Sequence, residues 1–302
     1  MLPGKASMKI VSIGEVLWDV IGDEEHLGGA PFNFAAHARR LGHEVYFVSA
    51  VGWDERGDRV LEYMAQMKLS TRFVRRTEGY PTGIASVTLD ASGQPSFHIE
   101  HPAAYDFPDL AASDLEELLS PVPDWIYFGT LVQLSSTARE VTGTLLAAKG
   151  EARCFYDINL RPSCYTPDLV RELMPQGTVV KLNDEEVSNV DQMCGRSHSN
   201  LEDFCRDYAG LLGWEAVCVT RGAQGCVVLI GDEFIEAAGY GVKVVDTVGA
   251  GDAFAAAFLH GLGSRWPAWQ IADFSNRLGA LVTSRPGAVP PWTGDEIKAL
   301  GQ

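Results

Sequence analysis

Positive charge is scarce in this chain: 24 Lys and Arg stand against 40 Asp and Glu, for a net charge of -16. Nucleic-acid binding draws on clustered Lys and Arg, so that class of partner is not expected. A nucleotide stays open, because a pocket has its own local field and distant surface charges are screened within about 8 Å at physiological salt. Long hydrophobic runs are also missing. The longest, Ala253 to Leu262, is interrupted by His260 and Gly261 and is too short to span a bilayer. The segment Met1 to Met8 has no continuous apolar stretch of the kind a secretory signal needs, and Met8 reads as a natural start behind leader or added residues 1–7. Six cysteines form no C-x-x-C pair and no zinc spacing, which points to reduced, mostly buried thiols in a cytoplasm. Two phosphate motifs are absent as well. No G-x-x-x-x-G-K-[ST] occurs, no G-x-G-x-x-G opens a helix after a strand, and the H-R-D and D-F-G kinase motifs are missing, so phosphoryl transfer would need another scaffold.

What is present is enough to build a large core: 302 residues, 46% hydrophobic and 21% charged, without low-complexity tracts. Strand-like runs alternate with helical ones. Lys9 to Ile13, Glu44 to Val51, Trp125 to Phe128, Arg153 to Asp157, Thr178 to Leu182 and Ala216 to Thr220 read as strands. Helices are expected over Pro31 to Leu41, from an Asp54 cap through Met67, after capping boxes at Ser113/Glu116 and Thr137/Glu140, and over Asn200 to Leu212. The alternation predicts a parallel sheet covered on both faces. Gly83 to Asp90 and Pro95 to Glu100, flanking Ala91-Ser92-Gly93-Gln94, break it and read as a hairpin. Such a hairpin is either a small sheet that covers a site as a lid or an antiparallel extension of the main sheet.

The segment Asp246-Thr247-Val248-Gly249-Ala250-Gly251-Asp252 opens an apolar helix with a glycine turn and a carboxylate. Unpaired N–H groups and the positive end of the helix dipole favour developing negative charge. A pure phosphate cradle has no use for a fixed negative charge, so Asp252 reads either as a base acting on a hydroxyl or as an ordinary acidic first-turn residue. Earlier, Gly28-Gly29-Ala30-Pro31-Phe32-Asn33 combines two glycines that permit close approach with an amide suited to a polyol. Asp19, in a loop-like stretch after Gly14, can accept from two hydroxyls, and each of these residues singly also fits a cap or turn. His98 and His101 fall on opposite faces of a strand, which argues against a metal pair and for a surface or lid role. Trp266 and Trp269 read as core or surface anchors.

In this order and separation, the Gly28 to Asn33 and Asp246 to Asp252 segments resemble the two signature regions of the ribokinase-like (PfkB) carbohydrate kinases over essentially the whole chain. Tyr156-Asp157-Ile158-Asn159-Leu160-Arg161-Pro162, Lys181-Leu182-Asn183-Asp184-Glu185-Glu186, Thr220-Arg221-Gly222-Ala223-Gln224-Gly225 and Arg285-Pro286-Gly287-Ala288 are similar to the family's intermediate motifs. The resemblance implies an α/β three-layer sandwich with a mostly parallel central sheet and a small β-sheet lid. It places a kinase domain over residues 8–302, with the lid at about 15–28 and 82–106. It also implies ATP as donor, Asp252 as general base, and an anion hole from Gly249, Ala250 and Gly251. Asn183 and Glu186 would organise magnesium through its waters, unless Asp184 to Glu186 is only a solvated acidic helix start. Thr220, Gly222, Gly225 and Asn276 would line the nucleotide site, while Asp246, Thr247, Ser284 and Gly287 resemble a potassium site.

By the same resemblance the sugar side draws on Asp19, Gly28, Gly29, Asn33 and Asn159, with Tyr105 and Asp106 from the lid and Gly83 permitting its approach. Arg161 faces the phosphates or the sugar, or sits in a structural salt bridge. The motifs are most similar to the fructokinase group, implying D-fructose to fructose 6-phosphate. The chain departs from many fructokinases in carrying no arginine within Phe97 to Asp106. Alternatives are a 2-keto-3-deoxygluconate or nucleoside kinase of the same fold, or a catalytically silent sugar-binding regulator. Partners are then a sugar and ATP, with no nucleic acid and no membrane, and the family resemblance suggests a homodimer.

Overall fold

The inner strands of the main sheet are apolar on both faces, which is what a sheet covered on both sides requires. Along Trp125–Gly129, Trp125 and Tyr127 point into one core, while Ile126 and Phe128 point into the other. The computed structural model describes residues 7–22, 24–89 and 95–301. Its strands are β1 (Lys9–Ile13), β2 (Leu17–Ile21), β3 (Glu24–Gly28), β4 (Glu44–Gly52), β5 (Val74–Thr77), β6 (Gly83–Leu89), β7 (Pro95–Ile99), β8 (Trp125–Gly129), β9 (Arg153–Asp157), β10 (Val179–Asn183), β11 (Ala216–Thr220), β12 (Cys226–Ile230) and β13 (Glu233–Ala237). The helices are α1 (Ala30–Arg40), α2 (Glu55–Gln66), α3 (Ala112–Leu119), α4 (Ser136–Ala147), α5 (Pro167–Leu173), α6 (Asp184–Cys194), α7 (Leu201–Leu212), α8 (Ala250–Gly263), α9 (Ala268–Thr283) and α10 (Gly294–Ala299).

Nine strands form the large sheet in the order β13-β12-β11-β10-β9-β8-β1-β4-β5. From β11 to β5 every pairing is parallel, and only β12 and β13 run antiparallel at one edge. Side chains from α1, α2, α8 and α9 fill the core on one face, and those from α3 to α7 fill the core on the other. The three-layer α/β arrangement expected from the alternation is therefore present, and it brings the C-terminal ends of the parallel strands to one edge, where open α/β sheets bind ligands.

The hairpin is resolved in favour of a separate sheet. β6 and β7 pair antiparallel, and β2 lies parallel to β6 and antiparallel to β3, giving a four-stranded sheet β3-β2-β6-β7. Residues 90–94, which include the expected turn, lie outside the described residues, as do residues 1–6 of the expected leader. Asp19 sits on β2 rather than in a loop. That strand is only five residues long and its partner β6 is remote in sequence, so no local pattern marks it. Two caps also move. The Asp114 carboxylate accepts from the Ala111 N–H (3.0 Å), and Ser135 Oγ accepts from the Ala138 N–H (3.4 Å), so Ser113 and Thr137 fall inside their helices. Ser135 Oγ also donates to the Asp106 carbonyl (2.6 Å), a tertiary tie that selects its frame. Five of the six cysteines are buried and none is bonded to another. Among the described residues no helix is long and apolar enough to cross a membrane.

Candidate active site

Glu15 just beyond β1, Asp157 at the end of β9, Asn183 at the end of β10 and Thr220 at the end of β11 all lie at the C-terminal edge of the parallel strands. The start of α8 faces this edge. Gly249 adopts the left-handed conformation (φ 77°), and a Cβ there would stand 2.3 Å from the Ala288 carbonyl oxygen, so the turn admits only glycine without displacing the C-terminal loop. Asp246 braces the same turn, accepting from the Val248 N–H (2.9 Å) and the Gly287 N–H (3.0 Å). No side chain caps the helix. Its first turn therefore keeps donors for an anion, although the Ala250 N–H contacts the Thr247 carbonyl at 3.3 Å.

Asp252 follows at once and is only 8% exposed. The Asn33 side-chain amide, carried on the first turn of α1, donates to its Oδ2 at 2.8 Å, while Asn33 Oδ1 is buried and has no partner among the described residues. Burial, with the charge of Asp157, lifts the Asp252 carboxyl to about 6 against the opposing pull of Asn33, Lys181 and Arg161. At neutral pH it is ionised yet more basic than a solvated aspartate, which suits a group that accepts a proton from a hydroxyl.

Other acids gather around it. Glu15, which the motif reading passed over, is buried; its carboxylate accepts from its own N–H and that of Ala30 at the α1 N-terminus, but Oε2 has no partner among the described residues. Burial first, and the Asp252 charge, lift it to about 7. Its position directly after a central parallel strand was the available signal. Asp19 is lifted to about 6 by burial, and its Oδ2 lies 2.5 Å from where a Cβ of Gly28 would stand. Gly29 (φ 107°) similarly makes room for the Glu15 carbonyl. The close approach that these glycines permit is thus, in part, made by the protein's own groups. Arg161 acts on Glu15, Asp19 and Asp252 alike, is exposed, and has no ion pair among the described residues. Asn159 beside it holds a left-handed backbone (φ 39°).

The remaining expected residues are placed as follows. Asn183 caps α6 by accepting from the Glu186 N–H (2.9 Å), and Glu186 accepts from Asn183 N–H (2.8 Å) and Leu160 N–H (2.6 Å). Asn276 donates to the carbonyls of Ala237 (3.3 Å) and Ala238 (3.1 Å), joining α9 to the end of β13. Gly225 (φ 91°) packs on that same segment, where a Cβ would stand 2.1 Å from the Ala237 carbonyl, whereas Gly222 (φ 53°) faces open space. Ser284 Oγ donates to the Leu281 carbonyl (2.7 Å), and Thr247 is exposed. Tyr105 is buried, with its ring against Gly83. Asp106 accepts from the Ala103 N–H and from His101 Nδ1, both at 2.9 Å, and that hydrogen bond, with a second to Cys164, holds His101 protonated up to about 10. Tyr105 and Asp106 thus form a cluster with His101 beside Gly83, the first residue of β6. Trp266 packs on His260 and Phe274 in the core, and Trp269 is exposed.

A mostly parallel nine-stranded sheet, a second small sheet, and an uncapped glycine turn with a buried aspartate describe a ribokinase-like α/β protein. The description "pfkB family carbohydrate kinase" matches residues 7–293, and the chain belongs to that family. An uncharacterized sugar kinase from Pyrococcus horikoshii is 28% identical, over 95% of this chain and 94% of its own. Its structure in complex with ATP superposes with a TM-score of 0.81 over 95% of this chain and 96% of that one. Fructokinase-2 of Zea mays is 27% identical over 93% of this chain and 90% of its own. The structure of a Vibrio cholerae fructokinase double mutant with fructose, ADP and a potassium ion has a TM-score of 0.81 at 23% identity, covering 99% and 100% of the two chains.

Proposed function

We propose that this carbohydrate kinase transfers the γ-phosphoryl group of ATP to a sugar hydroxyl, with D-fructose as acceptor and fructose 6-phosphate as product. The observation that carries the reading is Asp252: buried at the mouth of an uncapped helix, anchored through one oxygen by Asn33, and raised in basicity by burial. Asp252 takes the proton of the attacking hydroxyl. The first-turn N–H groups over Gly249 to Gly251 stabilise the charge on the transferring group, and alignment with charge neutralisation is most of what phosphoryl transfer demands. The unpartnered Asn33 Oδ1, Asp19 and Asn159 are the groups we assign to sugar hydroxyls. Thr220, Gly222 and the Ala237 to Gly239 segment are assigned to the nucleotide side.

Magnesium would supply charge neutralisation at the phosphates. Both carboxylate oxygens of Glu186 and the side-chain Oδ1 of Asn183 already accept backbone N–H groups, a donor set that fits metal-bound waters rather than direct ligation. Asp246 is likewise committed to two N–H groups, so potassium at this turn would draw on backbone carbonyls. The P. horikoshii and V. cholerae structures with ATP or ADP and potassium support the donor and a cation in general. We assign a homodimer in the cytoplasm, with the small sheet acting as a lid; light scattering tests the dimer.

An acidic sugar such as 2-keto-3-deoxygluconate is the second reading. It is favoured by Arg161, a cation beside the acids with no ion pair of its own among the described residues. Coupled ADP release with magnesium and ATP across fructose, ribose, 2-keto-3-deoxygluconate, glucose and adenosine decides between them. Fructose is expected to give the highest kcat/KM; activity confined to adenosine overturns the sugar assignment, and activity on none favours a sugar-binding regulator.

A further inference from the structure

We propose that the buried Lys181–Asp157 ion pair beneath the first turn of α8 is a positioning unit for Asp252, fixing the field in which that carboxyl gains and loses its proton. The inference rests on the assignment of Asp252 as the base. Lys181 Nζ lies 2.9 and 3.0 Å from the two Asp157 oxygens, and the Tyr127 hydroxyl donates to Asp157 Oδ2 at 2.9 Å. Phe34 of α1 stacks on the Tyr127 ring at 3.8 Å and 9°, which leaves the unit little freedom to move. A Cβ on Gly251 would stand 3.6 Å from Lys181 Nζ, so the ammonium sits directly under the anion-hole backbone. Asp157 and Tyr127 are fully buried and Lys181 is 6% exposed.

Stability is a poor reason for this arrangement. Taking two charges out of water costs several kcal/mol by general estimate, and apolar replacements of such pairs are often neutral or stabilising. What a charged pair supplies here, and an apolar one does not, is a fixed field at the neighbouring carboxylate. Burial pulls Lys181 toward the neutral form, but the charges of Asp157 and Glu186 outweigh it and keep the group an ammonium.

The groups facing Asp252 come from every surrounding element. Asp157 on β9 repels its charge; Lys181 on β10 and Arg161 beyond β9 attract it; Asn33 on α1 donates to it. Glu15 beyond β1, Asp19 on β2 and Tyr127 on β8 each interact with its charge, while α9 meets this turn through Gly279 and the Thr283 carbonyl. The two halves of the pair therefore act on Asp252 with opposite sign, and that opposition is what a merely structural role lacks.

The test is the acid limb of kcat against pH in Lys181→Met, Asp157→Asn and the double variant. Losing the cation makes Asp252 harder to ionise, so the limb of Lys181→Met moves to higher pH; losing the anion moves the limb of Asp157→Asn to lower pH. Each shift is expected to be about 1 pH unit, the effect of one nearby charge. The double variant returns toward the unaltered enzyme. Should Lys181→Met not fold, the double variant must lie at higher pH than Asp157→Asn. Carboxyl ¹³C titration of Asp252 in the ligand-free protein, identified by its loss in Asp252→Asn, must follow the same order without any turnover. If Lys181→Met and Asp157→Asn shift in the same direction as each other, in the limb or in the ¹³C midpoint, or if neither variant shifts, the inference is overturned. If turnover survives in Asp252→Asn while the ¹³C midpoints still separate, the base assignment fails and the field does not.

Discussion

Two helices in this protein begin with a carboxylate in the first turn next to the same sheet edge, and they use it in opposite ways. At α6, Asn183 and Glu186 satisfy each other's backbone N–H groups, and Glu186 additionally holds the Leu160 N–H at 2.6 Å. At α8, Gly249 offers no side chain, so no cap forms, and Asp252 turns away from the helix end to accept one amide from α1. One helix end is closed by its acid. The other is left open, with its acid held beside the opening. Both carboxyls are raised by burial, but Glu186 is surrounded by donors and the oxygen of Asp252 not bound to Asn33 is spare. An acid in a first turn is therefore structural or chemical according to whether backbone donors consume it.

The sharpest way to break this contrast is Asp252→Asn. The substitution keeps the shape and an acceptor for Asn33 but removes the base. Turnover is expected to fall by at least about a hundredfold, in the range general-base loss gives, with ATP and sugar binding retained. Its thermal midpoint should stay level or rise, because a buried charge has gone. Near-normal turnover in that variant would falsify the assignment of the open helix end as the chemical one.

Much of this contrast was legible in the sequence, and the reason is local. Gly249 to Asp252 and Asn183 to Glu186 are contiguous segments: the first could be singled out from the donors a helix start leaves free, and the second from the family resemblance, before the fold was known. The layered parallel sheet was legible for the same reason, since each buried strand such as Trp125–Gly129 is a short apolar run. What was hidden depends on distance. Asp19 sits on a strand paired with β6 far along the chain; Glu15 has an ordinary flank; and Lys181 and Asp157 become a pair only across adjacent strands, 24 residues apart. Tyr105 and Asp106 were named as candidate lid contacts by the resemblance, not by any local pattern. Their packing on Gly83 and His101 is a tertiary outcome that no spacing encodes.

The open end also needs a brace, and the brace contains a histidine. His37 Nε2–H donates to the Ala288 carbonyl (3.0 Å), and the Trp292 indole N–H donates to His37 Nδ1 (3.0 Å), so the ring is held neutral behind Gly249. Burial lowers His37 from 6.5 to about 4. Between those values the unfolded chain binds the proton and the folded one does not, so stability falls as pH drops from 6.5 toward 4. The full loss is about 3 kcal/mol, and His37→Gln should flatten that part of a pH series of denaturant melts. Gly249→Ala attacks the same place from the other side. A left-handed alanine costs about 1–2 kcal/mol, to which contact with the Ala288 backbone adds, so a lowered melting temperature and a loss of turnover are expected together.

The smallest effect belongs to the closed end and is the most discriminating. In Glu186→Gln one oxygen still accepts, but the new amide N–H₂ must face either the Asn183 or the Leu160 N–H, and one of those two hydrogen bonds is lost. A cap lost in this way costs about 1 kcal/mol, so the thermal midpoint should drop by a few degrees. Where the Leu160 hydrogen bond is the one lost, the loop assigned to the sugar also loosens, because Leu160 lies between Asn159 and Arg161. KM for the sugar should then rise more than kcat falls. If the carboxylate also orders magnesium-bound waters, kcat will fall tenfold or more and extra magnesium will partly restore it, a response that repairing a helix cap cannot produce. Titrating magnesium against kcat in Glu186→Gln thus shows whether the two helix ends differ in kind, or whether the closed one has a share in the chemistry of the open one.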